Sequence, residues 1–87
     1  MLNQEQIRVV EFLKSLAIDT FFNDDMSFEC VFEDKKVIEF DFYTYTNNNE
    51  DRICLTYFEN ENDCESQSTY SLSELNESII NKILVNL

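Results

Sequence analysis

Residues 27–46 read Ser-Phe-Glu-Cys-Val-Phe-Glu-Asp-Lys-Lys-Val-Ile-Glu-Phe-Asp-Phe-Tyr-Thr-Tyr-Thr, and this stretch decides the fold class. Phe28, Cys30 and Phe32 point one way from an extended chain. Glu29, Val31 and Glu33 point the other way. After the polar connection Asp34-Lys35-Lys36 the alternation resumes. Ile38, Phe40 and Phe42 share one face, and Val37, Glu39, Asp41, Tyr43 and Tyr45 share its opposite. Side chains on a strand change sides at each residue, so period-two patterning on both sides of a short turn predicts a half-buried hairpin, 27–33 with 37–46.

Outward from the hairpin, Asn47 to Asp51 form a polar loop, and a third strand is expected over 52–58. Ile53, Leu55 and Tyr57 would face inward; Cys54, Thr56 and Phe58 would face outward. Residues 59–66 are too polar to fill a core and read as a loop or an extended hairpin end. Ser68, Tyr70 and Leu72 suggest a fourth strand. Helical spacing takes over at both ends. Asn3 and Gln6 form a capping box. Ile7, Val10, Leu13 and Ala17, with Val9, Phe12 and Leu16 beside them, then give a helix over about 4–17, with a continuation to Phe22 left open. In that reading Phe21 and Phe22 are core at the helix end, and Asn23-Asp24-Asp25 breaks the helix. Ser71 with Glu74 gives a second capping box, followed by Leu72, Leu75, Ile79, Ile80, Ile83, Leu84 and Leu87 in a helix ending near Val85.

The expected fold is therefore α+β in the order α-β-β-β-β-α. It has a four-stranded antiparallel meander within residues 27–72 and both terminal helices on one sheet face. One domain, 1–87, suits the length of 87 residues. The other sheet face is expected to stay uncovered.

The net charge is −12, with eighteen acids, six bases and no histidine. Residues 23–65 hold thirteen acids against Lys35, Lys36 and Arg52, so ten of the twelve net charges lie there. A charge this concentrated repels itself and favours a basic partner. It opposes direct binding of DNA or RNA. The hydrophobic fraction of 44% is that of a globular chain, not a disordered acidic tail. Gly and Pro are both absent. That removes glycine phosphate loops and leaves the turns to the ten Asn, with Asp and Ser. Without His, no Ser-His or Cys-His pair can form, and a chain this short has little room for a pocket, so no enzyme is expected.

Cys30, Cys54 and Cys64 are odd in number and lack C-x-x-C spacing, which favours reduced thiols in a cytoplasmic protein. A Cys30–Cys54 bridge between neighbouring strands remains an alternative. Neither a signal peptide nor a run near the ~20 apolar residues of a membrane span is present, so no membrane association is expected. Asn60, Glu61, Asn62, Asp63 and Glu65 are dense in oxygen, but the glycine of a calcium loop is missing, and a solvated loop is the preferred reading. No cofactor is expected.

Glu59, Glu61, Asp63 and Glu65 stand at every second position. If extended, they would space carboxylates about 6.6–6.8 Å apart on one side. Such a row imitates the regular phosphates of a nucleic-acid strand. Glu39 and Asp41 repeat the spacing, and Tyr43, Tyr45 and Phe58 add rings of the kind that anchor interfaces. The candidate partner-binding set is therefore Glu39, Asp41, Tyr43, Tyr45, Phe58, Glu59, Glu61 and Asp63.

In size, acidity and α+β patterning the whole chain resembles the small phage-encoded inhibitors of bacterial defence, notably the anti-CRISPR proteins. The resemblance assigns no role to individual residues. It implies an inhibitor that occupies the nucleic-acid-binding surface of a basic protein, such as a CRISPR effector or nuclease. Two alternatives stand beside it: an immunity protein that neutralises a basic nuclease toxin, and an acidic adaptor subunit.

Overall fold

A computed structural model of the chain describes residues 2–33, 36–60 and 63–86; at 59, 60 and 63–65 it describes the backbone alone. Helix α1, Gln4–Leu16, begins at the expected capping box: Gln6 N–H donates to Asn3 Oδ1 at 2.8 Å, and Asn3 N–H donates to Gln6 Oε1 at 2.9 Å. The Asn3 amide also donates to Asp51 Oδ2 at 3.0 Å, which ties the helix start to the sheet. Five strands follow: β1 Asp19–Asp24, β2 Ser27–Val31, β3 Val37–Tyr45, β4 Glu50–Asn60 and β5 Asp63–Ser71. A 3-10 turn, Leu72–Glu74, leads into helix α2, Glu77–Val85. The sheet is antiparallel throughout, in the sequential order β1-β2-β3-β4-β5.

The α+β class and the antiparallel meander stand, but the count of four strands does not. The extra strand is β1, in the segment read as a helical continuation. Ala17 caps α1 in extended conformation, and Ile18-Asp19-Thr20-Phe21-Phe22 then pairs with β2. β-branched and aromatic residues lose rotamer freedom in a helix and pack well on a pleated surface, so the local preference is for strand. Phe21 and Phe22 are accordingly not core at a helix end; they are 54% and 49% exposed. Asp24 ends β1, and Asp25 and Met26 make the β1–β2 turn, in which Met26 N–H donates to Asp24 Oδ1 at 2.7 Å. The fourth and fifth strands are also longer than read, because the ladder continues to the pair Asn60↔Asp63.

At the C-terminal end Ser71 makes no capping bond to the backbone. Its hydroxyl lies 2.9 Å from that of Ser73. The working cap is Asn76, whose Oδ1 accepts from Ile79 N–H at 2.9 Å, so α2 starts later than the Ser71–Glu74 reading placed it. Asparagine also makes the β3–β4 turn: Asn49 is the described residue with positive φ, 54°, a conformation Asn tolerates better than most residues.

The core lies between the helices and one sheet face. Val9, Val10 and Leu13 of α1 and Ile80 of α2 are buried with Phe28, Cys30, Ile38, Phe40, Phe42, Ile53 and Leu55. Phe28 is its centre, with ring centroids 5.2 Å from Phe22, 5.1 Å from Phe40 and 5.8 Å from Phe42. Burying one such side chain stabilises the fold by about 1.5–3 kcal/mol, and each ring pair adds about 0.5–1.5 kcal/mol. Arg8 crosses between the chain ends and donates to the Leu75 carbonyl at 3.0 Å.

Cys30 and Cys54 are free thiols. They sit on β2 and β4, with β3 between them and on opposite faces, so the Cys30–Cys54 bridge is ruled out by geometry. Burial pushes the Cys30 thiol up, against a smaller lowering from the Thr20 hydroxyl 3.7 Å away. No described helix is long and apolar enough to cross a membrane.

Candidate partner-binding face

The sheet face opposite the helices is built by the outward set of the alternation. Register fixes which side chains meet on it. One row runs Phe21–Glu29–Glu39–Thr56–Gln67 across all five strands. The next runs Ser27–Asp41–Cys54–Thr69, and the third joins Tyr43 to Arg52 and Ser71. Val31, Val37 and Phe58 line up on the other side of the Glu29–Glu39 row. No described element lies over this face, yet it is well packed: Thr56 and Ser27 are buried, and Glu29, Glu39, Asp41, Tyr43, Cys54 and Phe58 are half-buried. Gln67 braces it by donating to Thr56 Oγ1 at 3.3 Å.

Glu29 and Glu39 are direct cross-strand partners, and Asp41 follows Glu39 on the same face. Like charges placed directly opposite each other destabilise a sheet. The Glu39 carboxyl is held above the usual carboxylate range. Burial is the largest cause, followed by the charge of Asp41 and a hydrogen bond with it, and then the charge of Glu29.

Arg52, on the same face, is taken up elsewhere. Its Nη1 lies 3.4 Å from Glu50 Oε1, its Nε donates to the Tyr43 hydroxyl at 3.3 Å, and its Nη2 donates to Thr69 Oγ1 at 3.3 Å. The guanidinium also sits 5.0 Å over the Tyr45 ring, within cation–π range. Tyr43 and Tyr45 meet edge to face at 5.6 Å. Burial would raise the Tyr43 phenol, but the hydrogen bonds with Arg52, Thr69 and Tyr45 and the charge of Arg52 outweigh it and lower it. Arg52 is raised in turn, first by its bond to Tyr43. Glu50 is lowered, first by the Ser71 hydroxyl; burial opposes this, and the charge of Arg52 and hydrogen bonds with Asn48 and Arg52 lower it further.

Five of the candidate residues, Glu39, Asp41, Tyr43, Tyr45 and Phe58, thus share one face. The tyrosines, however, spend part of their surface clamping Arg52. Glu61 lies outside the described residues, as do the side chains of Glu59 and Asp63. Asn60 on β4 pairs with Asp63 on antiparallel β5, so 63–65 run in the reverse direction to 59–60 and the run is not one extended row. The regular carboxylate spacing read along that run requires an unbroken strand and fails on this reversal. Among the described residues no group of three or more metal-ligating side chains is gathered.

Two features escaped the sequence reading. The alternation put Glu29 on the same outward face as Glu39 and Asp41, but its direct pairing with Glu39, which adds it to the candidate set, comes only from the register. The second is a groove of about 320 Å³ on the helix side, between α2 and β5, whose lining includes Leu55, Tyr70, Ile79, Lys82 and Ile83. No family model, curated protein or solved structure matches the chain.

Proposed function

We propose that this chain is a small acidic inhibitor whose uncovered sheet face occupies the basic, nucleic-acid-binding surface of a target protein. The observation that carries the reading is the placement of Glu29, Glu39 and Asp41 together on a face with Phe21, Val37 and Phe58 around them. An isolated fold gains nothing from opposing carboxylates beside apolar side chains; a cationic partner would relieve the repulsion and cover the apolar rim. The Arg52 corner gives the face a second sign of charge, so the fit would depend on shape and register as well as on net negative charge. The anti-defence role, against a CRISPR effector or a nuclease, rests on the resemblance in size, acidity and fold class.

The test is displacement. CRISPR effectors and nucleases, each loaded with a labelled DNA duplex, are titrated with the protein at low and moderate salt. Competition that weakens with salt, is lost in a Glu39→Lys/Asp41→Lys variant and survives in Glu5→Lys and Glu77→Lys supports the reading. Failure to displace DNA from any of them, or loss of activity in the helix variants alone, overturns it.

A further inference from the structure

The two edges of the sheet are not alike. β1 carries Asp19 and Asp24 and an irregular register between Phe22 and Asp24, and both charge and bulges discourage edge-to-edge pairing. On β5, residues Ser66 to Ser71 read Ser-Gln-Ser-Thr-Tyr-Ser, with no charge and no proline. Their register with Arg52–Tyr57 is regular, and positions 66–69 are exposed. β5 pairs with β4 alone, so every second backbone amide and carbonyl of this run faces outward. The groove between α2 and β5 adjoins the same edge, with Ile79 and Ile83 on its wall and Val85, 80% exposed, at the end of the helix. An unpaired polar backbone and an unfilled, partly apolar groove thus lie side by side.

We propose that β5 is a self-association edge, pairing antiparallel with β5 of a second copy to join two five-stranded sheets into one of ten. Charge selects both occupant and direction. Residues 66–87 carry Glu74 and Glu77 against Lys82, so this is a nearly neutral part of a chain of net charge −12. Opposite residues in an antiparallel ladder share a face, and even-numbered positions of β5 face the helices. A two-fold axis centred on the uncharged run keeps this parity and puts Ser68 on Ser68 or Thr69 on Thr69. Asp63 then lies five residues or more from the axis, about 17 Å at the strand rise, and the acid-rich ends of the two copies point in opposite directions. Their separation of about 34 Å exceeds the Debye length of ~8 Å. A parallel arrangement would set those ends side by side. The α2 helices approach each other over the joined sheet, where the Ile79 and Ile83 walls of the two grooves and the exposed Val85 side chains come together. This edge is distinct from the face assigned to the partner, so the two readings stand or fall separately.

The interface is small, so self-association is weak, with a dissociation constant on the order of 100 µM. Sedimentation equilibrium from about 5 µM to about 1 mM, in low and moderate salt, should show the mass rising from 10.4 kDa to twice that, more readily with salt. Hydrogen exchange at high concentration should slow alternate amides within Ser66–Ser71. Ser68→Lys, at an exposed position on the helix side of β5 and off the partner-binding face, places a like charge at or beside the axis in both copies and should weaken the dimer about tenfold or more, with an unchanged melting temperature for the monomer. A chain that stays monomeric throughout overturns the proposal. So does a dimer whose β5 amides remain unprotected, or protection that appears only with a different protein bound.

Discussion

Replacing Glu39 by Gln should make the isolated protein more stable while it weakens partner binding. Glu39 faces Glu29 directly across the β2–β3 ladder and has Asp41 as its same-face neighbour. Each like-charge contact at such spacing costs on the order of 0.2–1 kcal/mol, so the two together cost ~0.5–2 kcal/mol. For a domain of this length 1 kcal/mol moves the melting temperature by about 4–8 °C, and the expected gain at pH 7 is about 2–16 °C. The sign follows from linkage. The folded Glu39 carboxyl sits above its unfolded pKa, so the cost is absent below the unfolded value of ~4.3. It grows as pH rises through that value and is complete above the folded pKa. Thermal melts of wild type and Glu39→Gln at pH 7 and near pH 3.5, with Glu5→Gln as a control on α1, read this out. A gain at pH 7 that disappears at low pH is the expected result. A loss of stability at pH 7, or a gain independent of pH, would show that repulsion with Glu29 and Asp41 is not what the carboxylate contributes.

Other outcomes follow from the same geometry. Asn3→Ala removes both the cap of α1 and the link to Asp51; denaturant unfolding should show a loss of about 1–2 kcal/mol. Moderate sodium chloride should raise the melting temperature of the isolated chain by screening its crowded acids, and a fall would count against a repulsive surface. Tyr45→Ala should speed dissociation of a bound partner by an amount typical of an interface anchor, ~2 kcal/mol. Tyr43→Phe, which deletes only the hydroxyl bonded to Arg52, should have a smaller effect on the same dissociation rate than Tyr43→Ala. The isolated protein should give no gel shift with DNA; tight, salt-sensitive retention would contradict the electrostatic argument.

What was legible in the sequence was whatever burial period alone determines. The inward sets Phe28/Cys30 and Ile38/Phe40/Phe42 were readable because a buried strand face forbids a one-residue slip. The capping box at Asn3 was readable because its partners are three residues apart. The β1 strand was not, because Asp19-Thr20-Phe21-Phe22-Asn23-Asp24 shows no alternation. Its pattern of exposure is set by being an edge, which is a property of the whole sheet. The Asn76 cap was hidden behind an equally good local signal at Ser71, and the Ser73 hydroxyl competes for that side chain. At the candidate site, sequence spacing placed Glu39, Asp41, Tyr43, Tyr45 and Phe58 on one face. It could not reveal the Arg52 clamp, which depends on the register Tyr43↔Arg52 across a loop.

The sequential strand order carries a kinetic consequence. Each strand pairs with the one just made, so every step of sheet assembly closes a short loop, and such topologies fold quickly for their size. With no proline in these 87 residues, the slow isomerisation that delays many refolding chains by tens of seconds has no site at which to occur. A chain burdened with net charge −12 thus passes rapidly through the states in which its acids, rings and unpaired edges are all exposed together.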